Sequence, residues 1–192
     1  RLPGKILLPI AGKSILEIHL ERLKSAKTID KLMVATTIED SDEIVEVCEK
    51  INIPYYKGSE DDVLDRFYQA VKNDQPDFIV RLTSDCPLID SNLIDKVIDY
   101  TINNSLDYCS NTLNPTFPDG QDCEVFTFAS LEKAWKESKL KSDREHVTPY
   151  IWRNSSFKGR DLFKSDNYSE GDDYGHLRMT VDEPNDFTLI KE

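Results

Sequence analysis

The sequence lacks the short motifs that mark several common kinds of site. Its four cysteines, Cys48, Cys86, Cys109 and Cys123, form no CxxC pair, so neither a zinc site nor thioredoxin-type chemistry is indicated. Only seven of the 192 residues are glycine, and no GxGxxG or GxxxxGK[ST] loop occurs. HExxH and nucleophile-elbow motifs are absent as well. The sequence therefore gives no support to Rossmann-type, Walker-type or zinc- or serine-hydrolase functions.

Basic residues and long apolar runs are also scarce. The chain has 24 Lys and Arg against 36 Asp and Glu, a formal net charge of -12. This balance argues against nucleic-acid and anionic-membrane surfaces, which need basic patches. No apolar run in residues 1–192 is long enough to span a bilayer, and no signal-peptide pattern occurs among these residues. We therefore expect a cytoplasmic protein with reduced thiols, which binds a polyanion only locally, through a few cations and a metal.

The composition is otherwise typical of a globular domain, with 39% hydrophobic and 31% charged residues. We expect residues 1–192 to form one domain, because this length allows a substantial core. Strand-like and helix-like segments alternate as far as Thr112, which predicts an α/β fold with a mostly parallel twisted sheet flanked by helices. Beyond Thr112 the pattern predicts strands at 122–127 and 177–181, a capping box over Ser142–Glu145, and a last helix capped by Asn185 or Asp186.

Two aspartates follow apolar strand-like runs, and each is soon followed by a proline. Asp85 comes after FIVRLTS and Asp182 after LRMTV. Ligands of open α/β sheets bind at the carboxyl ends of strands, so two central strands would place both carboxylates at one edge. There they would hold Mg²⁺ together with phosphate oxygens. A strand-end turn or helix cap is the alternative reading of each aspartate alone.

Two further residues are candidates for contact with a substrate. Lys5 follows a glycine in the opening segment RLPGK, where backbone N–H groups beside a lysine suit phosphate. An ordinary Pro-Gly turn would look the same. His146 stands beside Arg144 and Glu145, where it would contact a carboxylate or hydroxyl of a substrate. A helix residue that serves an interface or the core is the alternative.

Seven segments in a fixed order carry a family resemblance: RLPGKILLPIAGK, GSEDDVLDR, VRLTSDCPLID, YCSNT, PDGQDCEVF, SDREHVTPYI and LRMTVDEPND. Together they resemble the cytidylyltransferase family, in particular its spore coat polysaccharide biosynthesis protein F branch and, more distantly, the CMP-sialic acid and CMP-KDO synthetases. The resemblance covers nearly the whole chain. It implies the nucleotide-diphospho-sugar transferase (GT-A-like) fold. It also implies metal-dependent transfer of CMP from CTP to a sugar acid or related glycan precursor in surface polysaccharide biosynthesis.

The resemblance implies roles for individual residues. Arg1 and Lys5 would hold the triphosphate, and Ser59 and Arg66 would border the base. Asp85 and Asp182 would bind Mg²⁺, so that Lys5 and these two carboxylates form the catalytic set. Thr83 would contact the substrate. Contacts with the acceptor or with a dimer partner would come from five other polar residues: Gln121, Asp122, Glu124, Arg144 and His146.

The sequence departs from the family pattern at its ends. Relatives carry a first strand and an ARxxS loop just before RLPGK, and the last helix is short here. We therefore expect a fragment that lacks its N-terminal strand and part of its C-terminal helix. A homodimer is also expected, with the amphipathic segment Ser142–Arg153 as a candidate surface, although a helix packed on the core would show the same pattern.

Two other functions stay open. A GT-A-type glycosyltransferase or another sugar nucleotidyltransferase would use a similar sheet and metal, although no GxGTRL-type loop occurs. A non-catalytic domain or subunit of a sugar-processing enzyme would keep the fold and provide a dimer surface.

Overall fold

The computed structural model of the protein describes residues 2–192, and its strands form three separate sheets. A short antiparallel hairpin joins β1 (Pro9–Ile10) to β2 (Lys13–Ser14). A parallel pair joins β3 (Val34–Thr37) to β4 (Tyr55–Gly58). The other strands form one sheet in the order β5-β7-β6-β8, with the bounds β5 (Phe78–Arg81), β6 (Tyr108–Ser110), β7 (Glu124–Thr127) and β8 (Ser165–Asn167).

The four-stranded sheet is mixed. β5 and β6 both pair antiparallel with β7, and β8 pairs in parallel with β6. Three of its strands therefore point the same way, and β7 alone runs against them. The predicted α/β class is confirmed. The expected single, mostly parallel sheet is corrected to one mixed sheet and two smaller ladders.

Helices lie between most of the strands, with the bounds α1 (Ile15–Leu23), α2 (Asp42–Lys50), α3 (Val63–Val71), α4 (Ser91–Asn103), α5 (Phe128–Glu137), α6 (Lys141–His146), α7 (Pro149–Arg153) and α8 (Pro184–Lys191). At four of these helix starts the N-cap side chain accepts a backbone N–H of the first turn, which satisfies a group without an intrahelical partner: Ser14, Asp62, Asp90 and Thr127. In residues 2–192, every helix is too short or too polar to cross a membrane.

Side chains from the two faces of the four-stranded sheet enter two hydrophobic clusters. Val125 of β7 packs in the first cluster, with Leu16 of α1 and Ile94 of α4. The next residue, Phe126, packs in the second cluster with Leu131 of α5. Because successive side chains of a strand point to opposite faces, helices cover both faces of this sheet. The four cysteines are buried and free.

The predicted strand at 177–181 is wrong. This segment is extended, but it forms only an isolated bridge, between Asp119 and Arg178. Its backbone bonds are divided between two loops, since Met179 N–H donates to the carbonyl of Asp119 and Val181 N–H donates to that of Asp85. A segment shared between two loops cannot form a continuous ladder.

The predicted capping box at Ser142–Glu145 is also wrong. The N-cap of α6 is Leu140, two residues before Ser142, and it forms no side-chain cap. Asp143 is instead buried, where it accepts hydrogen bonds from Ser138 and Arg153.

The last helix is present, but its N-cap is Glu183, not Asn185 or Asp186. The Asp186 carboxylate accepts the N–H of Glu183 and so completes a capping box there.

Substitution of two isoleucines of α4 tests which face of this helix stabilises the fold. Ile94 is fully buried in the first cluster, whereas Ile102 is 47% exposed. We expect Ile94→Ala to lower the free energy of unfolding by about 2–5 kcal/mol, through lost burial and a residual cavity. Ile102→Ala, the matched control, should change it by about 0.5 kcal/mol or less. Urea unfolding measures both, and equal losses would contradict this packing.

Candidate active site

The opening loop holds Lys5 in place. Gly4 adopts a left-handed backbone with φ 62°, which costs a residue without a Cβ little, and leads into a single 3₁₀ turn, Lys5–Leu7. The N–H of Leu2 donates to the carbonyl of Asp182 at 2.8 Å. The loop is thus joined directly to the segment that carries one of the predicted site residues.

The ammonium of Lys5 lies between the carboxylates of Asp85 and Asp182. Its Nζ is 2.5 Å from Asp85 Oδ2 and 2.6 Å from Asp182 Oδ1. The lysine and Asp85 side chains are about one-fifth exposed and that of Asp182 about one-third. The three residues predicted as the catalytic set are therefore in direct contact.

Backbone contacts explain why the two aspartates meet without a shared ladder. Val181 N–H donates to the carbonyl oxygen of Asp85 at 2.9 Å, and the Thr180 hydroxyl donates to the same oxygen at 3.3 Å. The segment before Asp182 is thereby fixed on the loop that follows β5.

The ion pairs keep all three groups charged. Burial opposes ionisation of Asp85, but hydrogen bonds from Lys5 and Thr83 and the charge of Lys5 outweigh it, so the pKa of Asp85 is lowered. The hydrogen bond from Lys5 lowers the pKa of Asp182 as well. Burial alone would lower the pKa of Lys5, yet its bonds to the two carboxylates raise it overall. Deprotonation of the lysine at neutral pH is therefore disfavoured.

A second cation, Arg178, holds the far side of Asp182. Its guanidinium donates to Asp119 Oδ2 at 2.7 Å, Asp182 Oδ2 at 2.8 Å and Asp186 Oδ1 at 3.1 Å. The hydrogen bond to Asp186 is the main cause that lowers the pKa of this carboxyl to about 2 and raises that of the arginine. Sequence reasoning missed Arg178. Its position four residues before Asp182 is the feature of the sequence that could have indicated a contact between the two side chains.

A cavity of about 240 Å³ opens at the end of β5, next to this cluster. Of the residues expected to contact the acceptor, it brings together Thr83, Asp122, Glu124 and His146. Arg81 of β5 and Trp152 of α7 also line it, and neither was among the predicted site residues.

Glu124 forms the buried polar end of the cavity. Its Oε2 accepts a bond from Arg81 Nη1 at 2.5 Å, and its Oε1 accepts from Tyr108 OH at 2.7 Å and from Thr148 Oγ1 at 2.5 Å. Both carboxylate oxygens are therefore occupied by protein donors. Such a saturated carboxylate fixes the positions of its neighbours and has little capacity left for a ligand.

Asp122 differs from Glu124 in being exposed to the cavity. The protein around it nevertheless removes hydration, and this desolvation, with the charges of Asp119, Glu124 and Asp85, raises the pKa of Asp122 to about 6. The local potential at this carboxylate is thus negative.

A γ-turn centred on Val147 presents His146 and Thr148 to the cavity. The N–H of Thr148 donates to the carbonyl of His146 at 2.9 Å, and Val147 has φ 71° and ψ -59°. This backbone is strained for a β-branched residue. The Val147 side chain is fully buried in the second cluster, and that packing holds the turn.

Two predicted acceptor residues are held by the protein itself. Gln121 is buried, accepts the N–H of Asp90 at 2.9 Å and donates to the carbonyl of Leu88 at 2.8 Å. Arg144 does not line the cavity, because its Nε donates to Asp62 Oδ2 at 2.8 Å and ties α6 to the start of α3.

The two predicted base-binding residues lie together beside β4. Arg66 Nη1 donates to the carbonyl of Ser59 at 2.7 Å, and the arginine stem covers Gly58, where a Cβ would lie 2.8 Å from Arg66 Cγ. The Arg66 Nε is buried without a hydrogen-bond partner in the described chain. Arg1, the other predicted nucleotide contact, lies outside the described residues.

Asp85 and Asp182 suit a magnesium ion that is shared with phosphate. Mg²⁺ usually takes one or two protein carboxylates and completes its shell with water and phosphate oxygens. Residues 2–192 contain no group of three or more His, Cys, Asp or Glu side chains placed to hold a metal by themselves. The convergence of both carboxylates on the Lys5 ammonium shows that they can face one positive charge together.

Comparison with known proteins finds relatives along the whole chain. A family model described as "Cytidylyltransferase" matches residues 1–184. An uncharacterized protein of Methanocaldococcus jannaschii is 47% identical over 100% of this chain and 77% of its own length. The spore coat polysaccharide biosynthesis protein SpsF of Bacillus subtilis is 30% identical over 100% of this chain and 80% of its own. A 3-deoxy-manno-octulosonate cytidylyltransferase of Hydrogenovibrio crunogenus is 30% identical over 95% and 71%, respectively.

A solved structure shows the same fold. A cytidylyltransferase from Leptospira borgpetersenii superposes with a TM-score of 0.92 and 38% sequence identity, over 100% of this chain and 79% of that one. The sequence resemblance to the cytidylyltransferases is therefore confirmed at the level of sequence family and of fold.

Gly120 makes the close approach on which the Asp182 segment depends. Its φ is 104°, and a Cβ there would lie 2.6 Å from Thr180 N and 2.7 Å from the carbonyl carbon of Met179. Gly171 also has a positive φ, 67°, but a Cβ there would meet no atom within 4 Å.

Substitution of these two glycines distinguishes the free-energy cost of backbone strain from that of steric overlap. Gly171→Ala should cost only the left-handed strain, about 1–2 kcal/mol. Gly120→Ala should cost at least about 2 kcal/mol more, because the methyl group overlaps backbone atoms that cannot rotate away. Urea unfolding gives both values, and equal costs would show that the Gly120 contact is not as close as described.

Proposed function

This chain belongs to the cytidylyltransferase family of nucleotidyltransferases, and from that premise we propose that it transfers CMP from CTP to a hydroxyl of a sugar acid or a related glycan precursor. The acceptor oxygen forms a bond to the α-phosphorus and its proton passes to water, the bond from this phosphorus to the β-phosphate oxygen breaks, and pyrophosphate leaves. The observation that carries the proposal is the contact of Lys5 with Asp85 and Asp182 beside a polar cavity.

The triphosphate is proposed to bind at the charged cluster, which consists of Lys5, Asp85 and Asp182. Asp85 and Asp182 would hold Mg²⁺, which when bound neutralises charge on the reacting phosphate. The Lys5 ammonium now occupies the point where the two carboxylates meet. In the complex it leaves this point and donates to phosphate oxygens, with Arg1 of the same loop as a further proposed contact. Positive charge directed at the reacting phosphate stabilises the transition state of phosphoryl transfer.

The acceptor is proposed to bind in the cavity at the end of β5. Thr83 and His146 provide donors and acceptors that orient the attacking hydroxyl, and Asp122 supplies an exposed carboxylate. Glu124 supports the cavity through its contacts with the protein, and Gln121 is retained as a proposed acceptor contact outside this cavity. A hydroxyl that is held facing the α-phosphorus reacts faster, because the step no longer requires a chance encounter of two free molecules. Arg144 is retained as a candidate dimer contact.

Ser59 and Arg66 are proposed to border the cytosine. Arg66 has a buried Nε without a partner in the described chain, a donor whose desolvation a base could compensate. The enzyme is further proposed to act in the cytoplasm and as a homodimer.

Substitution of the two aspartates tests the reaction directly. Asp85→Asn and Asp182→Asn should each lower kcat by at least about 100-fold, because each removes a charge that faces the reacting phosphates. Pyrophosphate release with CTP, Mg²⁺ and a panel of sugar acids and related precursors measures this loss, and circular dichroism reports folding.

Asp161→Asn is the matched control. Asp161 is exposed, and its substitution removes the same charge from a loop outside the site. Wild-type turnover in the folded Asp85→Asn variant would remove Asp85 from the catalytic set. Tight CTP binding by the wild type without pyrophosphate release, whatever the acceptor, would contradict the transferase function.

A further inference from the structure

Arg178 contacts three carboxylates at once. Its Nη1 donates to Asp119 Oδ2 at 2.7 Å, and its Nη2 donates to Asp182 Oδ2 at 2.8 Å. Two further bonds, from Nε at 3.1 Å and from Nη2 at 3.2 Å, reach the two oxygens of Asp186. Every nitrogen of the guanidinium therefore has an acidic partner. The planar fork of an arginine fixes the directions of such bonds, whereas a lysine ammonium is a point charge on a flexible stem.

Both backbone polar groups of Asp182 are also fixed. Its N–H donates to Asp186 Oδ2 at 2.9 Å, and its carbonyl accepts the N–H of Leu2 at 2.8 Å. The freedom that remains to Asp182 is rotation of its side chain. Arg178 restricts this rotation because it holds Oδ2. Oδ1 is therefore the oxygen that faces the Lys5 ammonium, at 2.6 Å.

The other carboxylate of the charged cluster is held differently. Asp85 presents Oδ2 to Lys5, and its further side-chain donors are neutral: the hydroxyl of Thr83 and the thiol of Cys86, whose Sγ lies 3.6 Å from Oδ1. A thiol is a weak donor, whereas a guanidinium and a carboxylate form a strong, charge-assisted bond. Asp182 is thus the carboxylate whose second oxygen is held by a cation of the protein.

The number of oxygens that a carboxylate can offer affects which divalent cation binds. Mg²⁺ is small, requires a nearly ideal octahedral shell and completes it with water and phosphate oxygens. Ca²⁺ is larger, takes about six to eight oxygens in a flexible arrangement and often binds both oxygens of one carboxylate. Because Arg178 engages Oδ2, Asp182 can offer only Oδ1. This contact favours a small octahedral cation.

We propose that Arg178 is a positioning residue, which limits Asp182 to one free oxygen and thereby makes the site select Mg²⁺ or Mn²⁺ over Ca²⁺. This role rests on the proposed function, in which Asp85 and Asp182 hold the divalent cation of the transfer reaction. The protein, and not only the nucleotide, then takes part in the choice of the cation.

Competition between divalent cations tests this role without turnover. Mn²⁺ binding to the full chain without nucleotide is followed by electron paramagnetic resonance, and Mg²⁺ or Ca²⁺ is then added to displace it. The result to compare is the ratio of the Ca²⁺ and Mg²⁺ dissociation constants. Both ions carry the same charge, so loss of a nearby positive charge alters both constants by nearly the same factor. A change in their ratio therefore reports on the geometry of the ligands.

For the wild type we expect Ca²⁺ to bind at least about tenfold more weakly than Mg²⁺. Arg178→Met removes the donors and keeps a long side chain, and it should narrow this gap about fivefold or more, because Asp182 gains a free second oxygen. Arg178→Lys keeps the charge and should narrow the gap about twofold or more, since an ammonium lacks the planar fork.

Arg160→Met is the matched control. Arg160 is exposed and lies outside the charged cluster, so its substitution should leave the ratio unchanged. Circular dichroism reports the folding of each variant, and the wild-type ratio tests the role of Arg178 even if a variant does not fold.

Three results would overturn this role. The first is a wild type that binds Ca²⁺ as tightly as Mg²⁺, and the second is a wild type that binds no Mn²⁺, because the proposal requires a cation site made by the protein. The third is a folded Arg178→Met variant with an unchanged ratio, which would show that Arg178 acts through its charge alone.

Pyrophosphate release by the wild type with CTP, Mg²⁺ and the acceptor panel reports separately on the proposed function. Release together with an unchanged ratio in Arg178→Met would support the transfer and overturn the positioning role. The expected change in ratio without any release would support the positioning role and overturn the transfer.

Discussion

One ammonium group between two carboxylates organises the site. Lys5 comes from the opening loop, Asp85 from the loop after β5, and Asp182 from the extended segment before α8. Two negative charges this close repel each other strongly in a partly buried site unless a cation lies between them. The pairing of Leu2 with Asp182, the bonds of the 180–182 segment to Asp85 and the Arg178 contacts all maintain this arrangement.

The cavity next to this cluster has a different balance of charged groups. In the cluster a cation balances the acids, whereas at Asp122 the acids outnumber the cations. The strained turn at Val147 and the saturated carboxylate of Glu124 keep the cavity walls in place, so the two environments stay adjacent and distinct.

Several features could be predicted from the sequence because they depend on local patterns. The alternation of strand-like and helix-like segments indicated the α/β class. The proximity of Asp85 and Asp182 was expected from their similar contexts, although the reason given, two central strands of one sheet, was wrong, because residues 177–181 form no strand. What could not be predicted depends on contacts between distant segments. The contacts of Arg178 with Asp119 and of Arg81 with Glu124 form only because the fold brings these acids near. Arg144 pairs with Asp62 because α6 packs on α3.

The central claim is that the Lys5 ammonium occupies the position that a divalent cation takes during turnover. Mn²⁺ binding without nucleotide, followed by electron paramagnetic resonance, tests this for the wild type, Lys5→Met and the control Lys13→Met, which breaks the exposed pair with Glu21. The account predicts that Lys5→Met binds Mn²⁺ at least about tenfold more tightly than the other two proteins, since a competing positive charge is gone. Equal or weaker binding by Lys5→Met would contradict it.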